Sequence, residues 1–119
     1  MATTADRSDR VPVLHNWAGQ VRSTWVDTGP FIGAGGILST FDELEKYMLA
    51  ARRRHLPGGR PPGWEKSPTL WWHNGHNRDQ GAFVGVDDAA QRVITVHTLG
   101  YRVGTADKVA TRLERRFPV

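Results

Sequence analysis

Two stretches of this chain carry apolar residues at helical spacing, and three carry them at the spacing of strands. In the first helical stretch, Phe41, Leu44, Tyr47, Met48 and Ala51 recur every three or four residues and mark a buried stripe over Phe41 to His55. Ser39 or Thr40 is placed to cap it. Thr40-Phe41-Asp42-Glu43 has capping-box spacing, and its acidic residues suit the positive end of the helix dipole. Arg52-Arg53-Arg54-His55 fall in the last turn, where cations favour the dipole, and Pro57-Gly58 ends the helix. The second stretch runs from Ala106 to Phe117, with Thr105 as its cap and Val109, Leu113 and Phe117 as an i, i+4, i+8 stripe.

The strand candidates are Thr69 to Asn74, Ala82 to Asp87 and Val93 to Thr98, with a more irregular one at Gln20 to Thr28. Gly29 to Gly36 is a glycine-rich connector that lacks a P-loop lysine, and Leu56 to Ser67 is a proline-rich exposed loop. Cross-strand partners share a face of the sheet, so apolar residues are expected opposite apolar ones. That rule sets Val86 opposite Ile94, Val84 opposite Val96 and Ala82 opposite Thr98. The other face then holds Phe83 opposite His97, Gly85 opposite Thr95 and Asp87 opposite Val93, with a short loop around Ala89-Ala90-Gln91. These elements predict an α+β fold: a three- or four-stranded antiparallel sheet with at least two helices packed on one face. The second face, with His97 and Thr95 above an open floor at Gly85, is the expected site. Residues 11–119 are expected to form a single domain behind a polar, disordered tail at 1–10.

Composition narrows the class. At 119 residues and 39% hydrophobic, with five Trp, the chain has the apolar mass for one core. No stretch approaches the roughly 20 apolar residues of a membrane helix, and Met1 to Arg10 has no apolar run of the secretory kind. The expectation is a protein with no membrane partner, cytoplasmic or delivered into a target cytoplasm as part of a longer chain. The absence of cysteine removes disulfides and thiolate metal sites. Sixteen Lys and Arg stand against twelve Asp and Glu, and only Lys46, Lys66 and Lys108 are Lys. Arginine's planar fork suits bidentate contact with phosphate or carboxylate.

The chemistry lies in a cluster of three histidines, His73, His76 and His97. Metal-independent RNA cleavage needs a base for the 2′-hydroxyl and an acid for the leaving oxygen, and histidine titrates in the range that serves both. His97 lies near Thr95, a hydroxyl donor, Arg102, a phosphate clamp, and Tyr101, a ring for base stacking. His73 or His76 is the second proton group. Arg78 is an alternative clamp, and Trp72, neighbour of Trp71 on a strand, is a candidate stacking surface. A plainer reading makes His97 a half-exposed strand residue packed on Phe83. His73-x-x-His76, with Asp79 following, also has metal-ligand spacing, but Asn74-Gly75 and Asn77 favour a turn and no third ligand is placed. No metal or other cofactor is therefore expected.

Gly81-Ala82-Phe83-Val84-Gly85-Val86-Asp87-Asp88, followed by Arg92-Val93-Ile94-Thr95-Val96-His97-Thr98, resembles the closing hairpin of small bacterial ribonuclease toxins, the barnase, EndoU, colicin and RelE-like group. The resemblance covers about a quarter of the chain. It implies that Thr95 and His97 are active-site residues and that the protein is an endoribonuclease, a toxin domain cleaving tRNA or mRNA. RNA and a cognate inhibitor would then be its partners. The alternative is a non-enzymatic binding protein, such as an immunity protein, antitoxin or phage-encoded inhibitor, whose partner is a toxin protein. Nuclease inhibitors are usually acidic, which sets this basic chain apart from them.

Overall fold

The computed structural model describes residues 2–3, 13–22, 37–55, 63–77, 80–87, 92–100 and 102–117. Its centre is a four-stranded antiparallel sheet in the order β5-β6-β7-β8: Glu65–Lys66, Leu70–His76, Gln80–Asp87 and Val93–Leu99. Two helices pack on it, α1 at Phe41–His55 and α2 at Thr105–Arg116. Two small ribbons complete the description. β1 (Ala2–Thr3) pairs with β4 (Ile37–Leu38), and β2 (Leu14–His15) pairs with β3 (Val21–Arg22). The fold class is thus the expected one. The Gly29 to Gly36 connector and the Ala89-Ala90-Gln91 turn lie outside the described residues.

Helix α1 begins where its sequence signal places it. The Thr40 amide donates to Glu43 Oε2 at 3.1 Å and the Glu43 amide donates to Thr40 Oγ1 at 3.2 Å, a reciprocal capping box. The Glu43 carboxyl lies low, at about 2; the Thr40 amide is the largest cause, and the Ser39 hydroxyl contributes to it. Met48 is the buried anchor of this helix, whereas Phe41 and Tyr47 of the expected stripe are exposed.

Helix α2 departs from expectation in its cap and its buried face. Gly104 occupies the cap position with φ 76°, a left-handed conformation that glycine adopts without cost. The Thr105 hydroxyl instead donates to the Arg102 carbonyl at 3.0 Å. Ala106, Ala110 and Leu113 face the sheet, while Val109 and Phe117 are exposed. Small residues are required because this helix lies close to its sheet: a Cβ on Gly81 would stand 3.5 Å from the Ala106 Cβ.

The hairpin register differs by one residue from the expected one. Val86 pairs with Val93, Val84 with Thr95, Ala82 with His97, Phe83 with Val96 and Gly85 with Ile94. The Asp87 amide donates to the Arg92 carbonyl at 2.8 Å, and their side chains form an ion pair at 3.2 Å. Because the side-chain period of a strand is two, the slip exchanges faces. One face carries Leu70, Phe83, Ile94 and Val96 beneath α2, with Trp72 at its margin. The other carries Trp71 and Val86 against Met48 of α1, with Leu49, Trp64, Val84 and Val93 around them. The helices therefore pack on opposite faces, correcting the expectation of both on one.

The first pairing of β5, at Glu65 opposite Trp72 and Lys66 opposite Trp71, was hidden in the proline-rich segment. Among the described residues, β8 is the outer strand on the far side. In an antiparallel ladder, paired and outward-facing backbone groups alternate. The Asp87–Arg92 bond thus turns the N–H and C=O groups of Val93, Thr95, His97 and Leu99 outward.

Candidate functional site

The register decides which histidines share a surface. His73 lies in a row with Val84 and Thr95, and Gly75 lies in a row with Ala82 and His97. All six are on the α1 face. His73, Gly75, Ala82 and His97 are exposed there, because α1 packs over Trp71, Val86 and Val93 at the opposite end of the strands. The result is an open strip of sheet with His73 on one side, His97 on the other and a floor of Gly75 and Ala82. The two histidines are two strands apart and offset by two residues along the strands, so they stand diagonally about 12 Å apart across the sheet.

Each imidazole has one neighbour that orients it. The His73 ring meets Trp64 edge-on, with centroids 5.9 Å apart and planes at 64°. The His97 Nε2 is 2.9 Å from Gln80 Oε1, a hydrogen bond along the same face. Partial burial against the sheet lowers the His97 pKa from the usual histidine value, a shift that favours the neutral ring.

Thr95 is half-buried at the edge of an open cleft of about 270 Å³ lined by Phe41, Asp42, Glu45, Val93 and Thr95. The carboxyl groups of Asp42 and Glu45 give this end of the site a negative character.

His76 is on the other face. It pairs with Gly81, and a Cβ on Gly81 would lie 3.5 Å from its ring on the side of Ala106. It therefore cannot share a site with His97, and His73 and His76 cannot chelate one ion from adjacent positions of one surface. Among the described residues, no group of three or more His, Asp or Glu is arranged to hold a metal. Trp72 is also on the α2 face, stacked on Phe83 with centroids 5.7 Å apart and planes at 16°. Trp71 is buried on the α1 face, with Lys66 Nζ 4.9 Å from its ring. Neither tryptophan stands beside His97.

Gly85, expected as the open floor, is buried on the α2 face, where a Cβ would come within 3.1 Å of the Phe83 ring. Phe83 likewise belongs to the core rather than to the neighbourhood of His97. Arg102 is exposed just beyond β8. Arg78, Asp79 and Tyr101 lie outside the described residues. Sequence reasoning missed Trp64, Gln80 and the Gly75–Ala82 floor, all of which follow once the strands are set in their true register. Comparison with protein-family models, curated proteins and solved structures returns no match for this chain. Among the described residues, no helix is long and apolar enough to cross a membrane.

Proposed function

We propose that this protein is a metal-independent endoribonuclease whose proton-transfer groups are His97 and His73. The observation that carries this reading is their common position on one open face, on either side of a floor without bulky side chains. A ribose-phosphate unit laid over Gly75 and Ala82 would have an imidazole on each flank.

His97, bonded to Gln80 and with its neutral form favoured by partial burial, takes the 2′-hydroxyl proton as the 2′-oxygen attacks phosphorus. The bond from phosphorus to the 5′-oxygen then breaks, and His73 in its protonated form supplies the proton to that leaving oxygen. The products are a 2′,3′-cyclic phosphate and a free 5′-hydroxyl. Arg102, beyond the His97 end of β8, serves as the phosphate clamp. Thr95, beside two carboxyl groups, is better suited to a base or ribose hydroxyl than to phosphate.

The test is cleavage of total RNA in the presence of EDTA. His97→Ala and His73→Ala should each lower the rate by about 10²-fold or more, the usual contribution of a general acid or base. His76→Ala, on the opposite face, should cleave as wild type. The base limb of the pH–rate profile should have its midpoint below the ordinary histidine value, as should a direct NMR titration of His97. Absence of cleavage by folded wild-type protein would refute the enzyme.

One observation favours the second reading, a non-enzymatic binding protein such as an immunity protein, antitoxin or phage-encoded inhibitor. Trp17 is 81% exposed at the turn between β2 and β3, with exposed Val13 and Val21 beside it in the chain. Asn16 Oδ1 accepts from the Ala18 and Gln20 amides and fixes this turn, so the indole is presented on a defined support. Such a tryptophan is suited to anchoring a protein interface.

A further inference from the structure

Helix α2 divides its charges between two sides. Its acidic residues are tied to the sheet: Asp107 Oδ1 accepts from Asn74 Nδ2 at 2.6 Å, and Glu114 Oε1 accepts from the Thr69 hydroxyl. Its basic residues are Lys108, Arg112, Arg115 and Arg116, all exposed. Their i, i+4, i+7 and i+8 spacing sets them in one stripe, about 12 Å long at 1.5 Å per residue. Among the described residues, none of the four has a carboxylate partner. The first turn of α1, with Asp42, Glu43 and Glu45, is on the opposite side of the sheet, so nothing acidic there neutralises the stripe.

We propose that this outer face of α2 is a docking surface for the phosphodiester backbone of a nucleic acid. Three features select that polyanion over an anionic membrane. Most apolar residues of the helix, Ala106, Ala110 and Leu113, are spent against the sheet, and the exposed Val109 and Phe117, eight residues apart, do not form the broad apolar face that enters a bilayer. Three of the four cations are arginine, whose fork matches phosphate oxygens. The stripe also leads toward the candidate site. The Asp107–Asn74 and Thr105–Arg102 bonds hold the first turn of α2 at the end of the sheet where His97 lies. A strand following Arg115, Arg112 and Lys108 would reach Arg102 and pass over that end. The docking surface itself does not depend on catalysis.

The experiment uses a fluorescein-labelled single-stranded DNA 20-mer, which has no 2′-hydroxyl and cannot be cleaved by the chemistry above. Its affinity is measured across a salt series. For single strands, the slope of log K against log salt is about −0.7 per phosphate neutralised. Arg112→Ala/Arg115→Ala should therefore make the slope shallower by about 1.4. Arg112→Lys/Arg115→Lys should keep the wild-type slope, and Lys46→Ala, an exposed change on α1 across the sheet, should bind as wild type. Circular dichroism confirms that the variants, altered only at exposed positions, are folded. No binding at low salt, or an unchanged slope in the double alanine variant, would overturn the proposal. So would variant-sensitive binding to vesicles of phosphatidylserine and phosphatidylcholine without binding to DNA. If DNA binds as expected but no RNA is cleaved, the docking surface stands and the nuclease does not.

Discussion

At the scale of single residues, the contact that fixes the candidate site lies far from it. Asp87 is buried, and its carboxylate meets the Arg92 guanidinium, which also donates through Nη1 to the Phe117 carbonyl. This clasp joins the base of the β7–β8 hairpin to the end of α2 and locks the strands in the register that places His97 over Ala82. Removing one partner of a buried pair leaves the other charged and desolvated. Because Arg92 is partly exposed, Arg92→Met should cost about 2–3 kcal/mol, less than a fully buried pair, measured by urea unfolding. The same pair shows what was legible in the chain. Asp87 and Arg92 suggest a four-residue turn between them, yet matching apolar residues across the hairpin favoured a turn one residue longer. That matching presumes a sheet with one buried face. Here Phe83, Ile94 and Val96 are buried on one side and Val86 on the other, so apolarity carried no information on which face each residue takes.

At the scale of elements, local signals were reliable where backbone geometry alone sets the boundary. The α1 limits follow from the Thr40–Glu43 capping box and the glycine and proline after His55. Thr40→Ala should lower stability by about 1 kcal/mol at neutral pH, as seen in denaturant titration. Glu43 adds a pH dependence with a definite sign. Its carboxyl is held at about 2 in the fold against 4.5 unfolded, so its contribution is complete above pH 4.5 and is lost as pH falls toward 2. The difference in melting temperature between wild type and Glu43→Gln should therefore shrink between pH 5 and pH 2. In helix α2 the large apolar residues Val109 and Phe117 lie off the buried face, which shares only Leu113 with the stripe they mark in the sequence. Close packing over Gly81 selects Ala106 and Ala110 instead, a tertiary demand that periodicity of large apolar residues does not register. Strand β5 has two charged residues and no alternation, and only its pairing with β6 makes it a strand.

At the scale of the whole molecule, the sheet is a partition. One side presents the His73–His97 strip and the acidic start of α1; the other presents the cationic stripe of α2. A substrate drawn by charge would arrive on the α2 side and reach the histidines around the strand ends, so the two surfaces can be tested separately. The class of fold was legible from the sequence, and the candidate histidines were named by it. Which histidine joins His97 was not, because that choice depends on strand parity. The outward backbone of β8 has its own consequence. Amides along this strand should exchange with deuterium in alternation. Ile94, Val96 and Thr98, bonded to β7, should be slow, whereas Val93, Thr95, His97 and Leu99 should be fast. Such a comb, read by NMR, would report the register directly: in the alternative pairing the slow and fast teeth change places.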